Sequence, residues 1–543
     1  MLRISRQRKK RKAKQHTPEA GAAGDAAADR SKTLPVSADL AANEREIRRL
    51  LGASPDILLR RFTLILADSD GKRRGLEALI LAISGLVDES AVRSEVLEPL
   101  LREPLDTPGE GLTQIRERIY LKGVDAIASL GQAIERVLKG EALLLFAGFS
   151  EGLVLKVGGF EQRAIQEPPS DPVVRGSREG FIEAVETNMA MLRRRLPHPD
   201  LRFDSYTLGQ YSQTRVIVAY MKGITPLELV QRVHERLSLI QVDQIISSGD
   251  VEQYIEDSSL TLFSTTGNTE RPEKLAAMLM SGRIGILVDG DPMSLYGPRL
   301  FIEAFQSTED YSSRPYYSSF IRLLRIFAFF FSTLLPAFYI AASNFHKEMI
   351  PSDLIVTLSQ ARERVPFPLL METLLMIVLF ELVREAGIRM PRPIGQAVSI
   401  VGALILGEVS VDAGLVGAPT IVMVSLAAIS TFIITPIADV VAMLRILMAL
   451  ASGFFGMYGI LGAMLALLTH MVSLTSFGTP YLAPIAPLYF RDWKDALVLV
   501  PIQWRKRRPE SIPNQRPAPF QQVPPVVIAT GPPPKDGSAG ERP

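Results

Sequence analysis

The sequence contains no cysteine among its 543 residues, and this absence removes several classes of chemistry. Disulfide bonds, thiolate metal sites and cysteine nucleophiles are all excluded. The five histidines, at positions 16, 198, 234, 346 and 470, show no spacing typical of metal ligands, so we expect no zinc or iron site and no cofactor. The net charge is only +2, which argues against a general nucleic-acid-binding protein.

Signals for nucleotide binding and for secretion are also missing. The stretch Thr265–Asn268 contains glycine and hydroxyl groups, but it lacks the GxxxxGK[ST] arrangement of a phosphate-binding loop. The chain starts with a basic run, yet an Ala-, Gly- and Asp-rich stretch follows where a signal peptide would have its apolar region. We therefore expect the N-terminal half to stay in the cytoplasm.

Charge is distributed unevenly along the chain. Residues 1–320 carry most of the charged side chains, whereas residues 321–490 are strongly apolar. This division predicts a soluble half of two subdomains followed by a membrane half. The predicted divisions are a disordered basic and Ala-rich tail (1–43), two soluble subdomains (44–196 and 200–320), a transmembrane domain (321–490), an amphipathic basic segment (491–508) and a disordered Pro-rich tail (509–543).

The soluble half alternates between apolar runs and amphipathic segments, which predicts an α/β fold in both subdomains. Short apolar runs bounded by glycine or polar residues predict strands at Leu143–Phe146, Gly152–Val157, Arg215–Met221 and Ile284–Val288. Segments of helical periodicity predict helices at Glu44–Leu51, Gly75–Leu86, Thr113–Leu121, Pro226–Leu239 and Pro272–Met280.

Two places in the soluble half resemble binding or catalytic sites. Asp289 and Asp291 follow a predicted strand and offer a carboxylate pair for a metal-dependent transferase, although Asp-Gly and Asp-Pro are equally typical of a tight turn. Arg175, Gly176 and Arg178 precede a helix that ends in three arginines, 193–195, so an anion site is conceivable. We favour the turn in the first case and a solvated basic helix end in the second.

The apolar half predicts an α-helical polytopic membrane domain with about five spans. A charge-free stretch of about 20 residues crosses roughly 30 Å of hydrocarbon, and flanking arginines mark the cytoplasmic side. The predicted spans are 326–345, 366–383, 393–411, 413–438 and 446–469, with a re-entrant or sixth element at 471–490. Glycines in the fifth span predict close helix packing.

Polar residues inside these spans are the candidate pore or gating residues. A charge in hydrocarbon costs on the order of 2.5 kcal/mol or more, so it is normally kept for a partner, a pathway or a switch. For Glu372 a water path and structural pairing are equally plausible, whereas for Glu381 extension towards Arg384 and the interface is favoured over a water path. The complete set of candidates is Glu372, Glu381, Glu408, Asp412, Thr420, Ser425, Ser430 and Thr431.

Four long motifs resemble those of the A subunits of spore germinant receptors, the GerA family. They are EPPSDPVVRGSREGFIEAVETNMAMLRRRL (167–196), TERPEKLAAMLMSGRIGILVDGDP (269–292), a membrane block at 365–408 and SFGTPYLAP (476–484). Asp291 stands where the family has threonine, which weakens the carboxylate-pair hypothesis. The motif residues are Arg175, Gly176, Asn188, Arg271, Pro272, Asp289, Pro366, Pro368, Arg384 and Pro391.

The resemblance implies a role without catalysis. Such an A subunit is a multi-pass protein of the inner membrane of the endospore, with its N-terminal domain on the spore-core side. It assembles with a polytopic B subunit that binds the nutrient and with a lipoprotein C subunit. The resemblance implies a homo-oligomeric, nutrient-gated channel in the lipid bilayer that releases monovalent cations and does not bind nucleic acid. The alternative is a non-conducting scaffold or signal-transducing subunit of the same complex.

Overall fold

The computed structural model describes residues 34–68, 73–102, 105–107, 111–159, 176–390, 402, 405–505 and 507–516. Within these residues, two β-sheets and their helices form the N-terminal half, and long apolar helices form most of the remainder. We call residues 315–473 the helical half and residues 474–516 the C-terminal segment.

The first subdomain is built on a six-stranded sheet with strand order β3-β1-β2-β5-β6-β4. Its strands are β1 Ile57–Asp68, β2 Arg73–Ile83, β3 Leu105–Thr107, β4 Val124–Ile127, β5 Ala142–Phe146 and β6 Gly152–Leu155. Its helices are α1 Leu40–Leu51, α2 Glu89–Ala91, a π-helical turn Val92–Leu97, α3 Glu98–Arg102, α4 Gly111–Glu117 and α5 Leu130–Val137. Strands β1 and β3 pair in parallel, and the pairs β1–β2, β2–β5, β5–β6 and β4–β6 are antiparallel.

The prediction of a helix at Gly75–Leu86 is wrong, because this stretch forms β2. The apolar side chains of β2 alternate between two hydrophobic cores, with Ala78 and Ile80 on one face of the sheet and Leu79 and Leu81 on the other. A strand buried on both faces has a nearly continuous apolar sequence, and over this length the pattern does not distinguish it from a buried helix.

The predicted tail boundary at residue 43 lies too late in the chain. The Asp39 carboxylate accepts a hydrogen bond from Ala41 N at 2.9 Å and so caps the start of α1. Val36 and Leu40 are buried in the core beneath the sheet, and the Asn43 side chain bonds the Ser37 backbone in both directions. Residues 34–43 therefore belong to the first subdomain.

The second subdomain is built on an antiparallel five-stranded sheet with strand order β7-β8-β10-β11-β9. Its strands are β7 Leu201–Leu208, β8 Thr214–Met221, β9 Gly267–Thr269, β10 Ile284–Val288 and β11 Ser294–Gly297. Its helices are α6 Val185–Arg195, α7 Leu227–Ser238, α8 Ser248–Ile255 and α9 Pro272–Met280. The prediction of two soluble units that combine strands and helices is confirmed.

The two subdomains are joined through Arg193, at the end of α6. Its Nε and Nη2 atoms donate to Asp56 Oδ2 at 3.0 and 2.8 Å, and its Nη1 donates to Leu201 O at 2.9 Å. The guanidinium also stacks over the Phe203 ring, 4.9 Å from its centre. Both members of the ion pair are only 2% exposed. The prediction of a solvated basic helix end is therefore wrong for this arginine.

The helical half begins after a 3₁₀ turn, Phe301–Phe305, and the short helix α10 Thr308–Ser312. Its elements are α11 Pro315–Asn344, a 3₁₀ turn Lys347–Met349, α12 Ser352–Arg362, α13 Leu369–Arg389, a π-helical turn Ile405–Val409, α14 Ser410–Asp412, α15 Ala418–Thr431, a 3₁₀ segment Phe432–Ile437 and α16 Ala438–Ser473. The predicted third span, 393–411, falls largely outside the described residues.

Among the described residues, two helical stretches are long and apolar enough to cross a membrane, Pro315–Asn344 and Ala418–Ser473. The second stretch is not one straight helix, because Ile434 and Gly456 depart from helical backbone angles. These residues separate α15 from α16 and divide α16 into two arms.

The predicted fifth span, 446–469, is wrong as a single crossing. Val441 and Met471 pack in the same hydrophobic cluster, although a straight helix would place them about 45 Å apart. Gly456 has φ 59° and ψ −139°, so the two arms of α16 fold back on each other at this residue. Glycine adopts positive φ without a steric penalty, and the turn packs against Phe345. Gly456 therefore reverses the direction of the chain in addition to allowing close packing.

The stretch 471–490, predicted as a re-entrant or sixth membrane element, contacts the second soluble subdomain through Ser476 and Phe477. Phe477 is buried in the core on one face of the five-stranded sheet, in the same hydrophobic cluster as Val288. Ser476 Oγ donates to Thr265 O at 2.6 Å and accepts from Arg299 N at 2.8 Å. Tyr481, Leu482 and Ala483 are also buried, whereas Ile485, Leu488 and Phe490 are exposed. Protein contacts therefore account for part of the apolar composition of this stretch.

The C-terminal segment then contacts α11 through Asp495 and Leu499, and it returns to the second subdomain before it reaches residue 516. It contains the short strands β12 Thr475–Ser476 and β13 Thr479–Pro480, helix α17 Trp493–Ala496 and a 3₁₀ turn Ile502–Trp504. Ile512 is buried, Arg508 Nε donates to Met280 O at 2.6 Å, and Gln515 N donates to Ile224 O at 2.8 Å. The prediction of disorder from residue 509 is therefore wrong for residues 509–516.

Candidate functional site

The helical half contains a fully buried arginine, Arg445, on the first arm of α16. Its Nε donates to Ser332 O of α11 at 3.0 Å, and its Nη2 donates to Ser332 Oγ at 3.2 Å and to Ala427 O of α15 at 3.3 Å. The same Nη2 also donates to the Thr431 hydroxyl. One guanidinium thus joins three helices of the bundle, and the side chain is 1% exposed.

Glu381 of α13 is the carboxylate next to Arg445. Its Oε1 lies 3.5 Å from Arg445 Nη1, and its Oε2 lies 2.9 Å from Arg384 Nε. Arg384 in turn approaches Asp439 at 3.5 Å, and Asp439 is almost fully exposed. The predicted extension of Glu381 towards Arg384 is observed, and the pair continues inwards to Arg445. We call Ser332, Glu381, Thr431 and Arg445 the arginine cluster.

Glu372, the other acidic residue of α13, is fully buried and paired. Its Oε1 accepts from Gly417 N, directly before α15, at 2.8 Å, and its Oε2 accepts from Arg362 Nε of α12 at 3.2 Å. A carboxylate at a helix N-terminus is stabilised by the exposed backbone N–H groups and by the helix dipole. Of the two predicted alternatives, the geometry favours structural pairing: Glu372 holds α12, α13 and α15 together.

The hydroxyl residues of α15 divide between its two faces. Thr420 and Thr431 are buried inside the bundle, and Thr431 Oγ1 lies 3.0 Å from Ser332 Oγ. Ser425 and Ser430 are half-exposed, and Ser430 Oγ donates to Leu426 O within its own helix. The structure therefore does not bring the four predicted residues to one surface.

Glu408 and Asp412 lie in consecutive short elements, the π-helical turn and α14, and both are exposed. No group of three or more histidine, aspartate or glutamate side chains able to hold a metal ion occurs among the described residues. These two carboxylates therefore do not form part of such a group.

The motif residues of the soluble half hold the backbone in place. Asn188 Oδ1 accepts from Ile182 N at 2.9 Å and its Nδ2 donates to Ile182 O, while Arg271 Nη1 donates to Ser177 O at 2.7 Å. Pro272 occupies the first turn of α9, where a missing N–H costs nothing. Gly176, in the same region of the chain, is exposed, and Arg175 lies outside the described residues.

Asp289 and Asp291 lie in one turn, and their carboxylates accept hydrogen bonds from backbone N–H groups of different elements. Asp289 Oδ1 accepts from Val185 N at the start of α6, at 3.3 Å. Asp291 Oδ2 accepts from Ser248 N at the start of α8, at 2.7 Å, and its Oδ1 accepts from Met293 N at 2.8 Å. This geometry supports the turn interpretation over a metal-dependent transferase site.

The proline motif of the helical half marks a helix start. Pro368 directly precedes α13, and its carbonyl accepts from Glu372 N at 3.0 Å. Pro366 lies in the connection before it, and Pro391 lies outside the described residues.

Sequence reasoning missed Arg445 as a site residue. Arg445 directly precedes the predicted span 446–469, and a flanking arginine is typical of the cytoplasmic end of a span. The available signal was its position within an apolar run that continues on both sides, from Val440 to Leu468.

Comparison with known proteins identifies the family. The model of the Bacillus/Clostridium GerA spore germination protein matches residues 45–511. The chain is 37% identical to spore germination protein KA of Bacillus subtilis over 90% of this chain and 89% of that protein. It is 35% identical to spore germination protein GerLA of Bacillus cereus over 88% of this chain and 96% of that protein.

A solved structure is also similar in sequence. It is the N-terminal domain of the A subunit of the Bacillus megaterium spore germinant receptor GerK3, at 30% identity and a TM-score of 0.39, covering 50% of this chain and 98% of that one. The family match and the extent of the two full-length similarities together show that this chain belongs to the GerA family of spore germination proteins.

Proposed function

We propose that this protein is the A subunit of a spore germinant receptor and that its helical half, assembled from several copies, forms a nutrient-gated channel for monovalent cations. It sits in the inner membrane of the endospore with its soluble half on the spore-core side. It acts with a polytopic B subunit that binds the nutrient and with a lipoprotein C subunit. Family membership and the apolar helices support the membrane location.

The observation that carries the proposal is the two-faced character of α15. Its buried face, with Val424 and Ala427, packs inside the bundle, whereas Val422, Ile429 and the following Phe432 are more than half exposed. A helix with apolar residues on both faces has further neighbours, either lipid or other protein. A second copy on this face would place the half-exposed Ser425 and Ser430 at a boundary between copies.

The fold-back at Gly456 supports a topology with both ends on one side. We assign crossings to α11, α13, the predicted span 393–411, α15 with its 3₁₀ extension, and the two arms of α16. Each α16 arm is about 25 Å long, close to the thickness of the hydrocarbon. An even number of crossings places the C-terminal segment on the side of the soluble half, where it docks.

Ion flux from spores that carry single substitutions along residues 420–435 tests the conduit. We expect small-to-large changes on the outer face, such as Ser425→Leu, to alter nutrient-triggered potassium release in spores with normal receptor levels. Matched changes on the inner face, such as Ala428→Leu, are expected to lower receptor levels instead. Unchanged potassium release in every outer-face variant would show that this helix does not line the ion path.

A non-conducting scaffold is the second candidate, and one observation favours it. Glu372 and Arg445, two fully buried charged residues of the helical half, both make their hydrogen bonds within the chain. Residues used in this way hold helices together and do not need an ion. Assembly with normal partner levels but no effect of any outer-face substitution on ion release would favour the scaffold.

A further inference from the structure

A backbone carbonyl of α11 has lost its partner within its own helix. In an α-helix the carbonyl of each residue accepts from the N–H four positions later, and the residue four positions after Ser332 is Pro336. Proline has no N–H, so the Ser332 carbonyl has no intrahelical donor. A polar backbone group left unpaired in apolar surroundings costs free energy, so this carbonyl needs a donor from elsewhere.

Arg445 supplies that donor from a different helix. Its Nε lies 3.0 Å from Ser332 O in a buried contact, and its Nη2 reaches Ser332 Oγ and the carbonyl of Ala427. Arginine presents several donors in a rigid planar fork, so a single side chain satisfies acceptors from two helices at once. The relative position of α11, α15 and α16 is thereby tied to one guanidinium.

The charge of Arg445 is only loosely neutralised. Its nearest carboxylate, Glu381, is 3.5 Å away, and that carboxylate lies closer to Arg384, at 2.9 Å. A buried ion pair stabilises strongly only when its geometry and its hydrogen bonds are good. Arg445 is therefore held mainly by neutral acceptors, which are easier to exchange than a close carboxylate partner.

We propose that Arg445 is the positioning residue that holds the helical half in its non-conducting arrangement, with the Ser332 carbonyl released by Pro336 as its docking acceptor. Opening exchanges the contact of Arg445 with Ser332 for other acceptors and frees α11 to move against α15 and α16. This inference rests on the proposed function, because "non-conducting" refers to the ion path assigned there.

Two conservative substitutions test the contact between Arg445 and the Ser332 carbonyl, one at the donor and one on the helix that carries the acceptor. Arg445→Lys keeps the charge but removes the fork, and Pro336→Ala returns to α11 an N–H that competes for the Ser332 carbonyl. Pro436→Ala is the matched control, since this proline follows Phe432 and not Ser332 by four positions. Arg389→Lys, 80% exposed on α13 and paired with Glu385, is the control for arginine replacement outside the three-helix contact.

The first measurement is potassium release without nutrient from spores that contain the full receptor. We expect Arg445→Lys and Pro336→Ala to raise basal release on the order of tenfold, within the usual range of coupling between two states. The double variant is expected to match Arg445→Lys alone, because both changes act through the same contact. The two controls should stay at the wild-type rate.

The second measurement does not depend on conduction. The chain has no cysteine, so Ser452→Cys places a single thiol of nearly the same size at a fully buried position of α16. We expect Arg445→Lys and Pro336→Ala to speed the reaction of this thiol with a membrane-permeant maleimide at least fivefold. If the Arg445→Lys variant does not accumulate in spores, the comparison of Pro336→Ala with the controls decides the result.

The two measurements separate the possible failures. Faster labelling with unchanged potassium release would support the positioning role of Arg445 and count against a channel formed by this chain. Normal receptor levels with unchanged labelling and unchanged release in both variants would overturn the proposal, because the contact would then be only one of many packing interactions.

Discussion

Arg193 in the soluble half and Arg445 in the helical half are both buried at a junction of structural units, but the partners of the two arginines differ. Arg193 makes two close hydrogen bonds to Asp56, and both residues are enclosed. Arg445 makes its close contacts to backbone carbonyls and hydroxyls, and its carboxylate partner is more distant and shared. The first arrangement is suited to a permanent joint and the second to a contact that is exchanged.

The largest expected effect is the loss of stability when the Arg193–Asp56 pair between the two subdomains is broken. Arg193→Ala leaves the Asp56 carboxylate buried without its partner, which costs about 3–5 kcal/mol in the free energy of unfolding. Thermal unfolding of the purified full-length protein in detergent measures this loss. Arg194→Ala is the control, because its ion pair with Glu179 at 3.7 Å is partly exposed and is worth at most about 1 kcal/mol. Equal losses of unfolding free energy for the two variants would show that the Arg193–Asp56 pair is no stronger than a partly exposed ion pair.

A comparable loss is expected where the C-terminal segment docks. Phe477→Ala empties a core position in the second subdomain and costs about 3 kcal/mol or more. The segment should then detach, so limited proteolysis is expected to cut between residues 474 and 516 at low protease concentrations. Phe490→Ala, in the same segment but 72% exposed, should leave cleavage unchanged. Protection of the segment in the Phe477 variant would mean that the docking depends on other contacts.

In the helical half, Glu372→Ala removes the acceptor for Gly417 N and for Arg362 and costs about 2 kcal/mol. We expect nutrient-triggered potassium release to be impaired while the protein remains in the membrane. Glu385→Ala, on the exposed part of the same helix, serves as the control. Normal release with Glu372→Ala, at normal protein levels, would show that this joint is not needed for function.

The carboxylate pair of the soluble half should have a small effect. Asp289→Asn and Asp291→Asn each weaken a charge-assisted hydrogen bond to a backbone N–H, which costs about 1 kcal/mol. Spores with the double variant are expected to germinate normally in response to nutrient. Loss of germination with intact receptor assembly would instead revive the transferase hypothesis for these aspartates.

The smallest effect concerns the pH dependence of the second subdomain. Burial, together with the nearby Glu252, raises the pKa of Glu256 from 4.5 to about 7. The folded state therefore binds the proton more tightly than the unfolded state, so this contribution is complete below pH 4.5 and is lost as pH rises through 7.

Glu256→Gln keeps a neutral side chain at every pH and tests this dependence directly. We expect the variant to unfold at a higher temperature than the wild type at pH 8 and at nearly the same temperature at pH 5. Glu228→Gln, on the exposed start of α7, should show no difference between the two pH values. An equal shift at both pH values would assign the effect to something other than titration.

Much of the fold was accessible from the sequence where pattern and length agree. The strands at Leu143–Phe146 and Ile284–Val288 are apolar, short and bounded by glycine or polar residues, and the structure confirms both. Strand β2 was misassigned because a strand covered on both faces has the same apolar density as a helix. Its partners lie on other segments, which a local pattern does not reveal.

The errors in the apolar half share one physical cause. Hydropathy reports that a segment avoids water, but not whether lipid or protein covers it. The stretch around Phe477 is covered by the soluble subdomain, and Gly456 reverses the chain inside a run that hydropathy treats as continuous. Arg445 was missed for the same reason, because its acceptors lie on α11 and α15, far away in the chain.

The most direct test of the central claim, that the helical half carries the ion path and rearranges to open it, is a reversible cross-link. Ser332 Oγ and Thr431 Oγ1 lie 3.0 Å apart, so cysteines at both positions are within reach of a disulfide in this cysteine-free chain. We expect oxidised spores to release no potassium with nutrient, and reduction to restore release. Normal release while the cross-link is intact, as measured by electrophoretic mobility, would contradict the account.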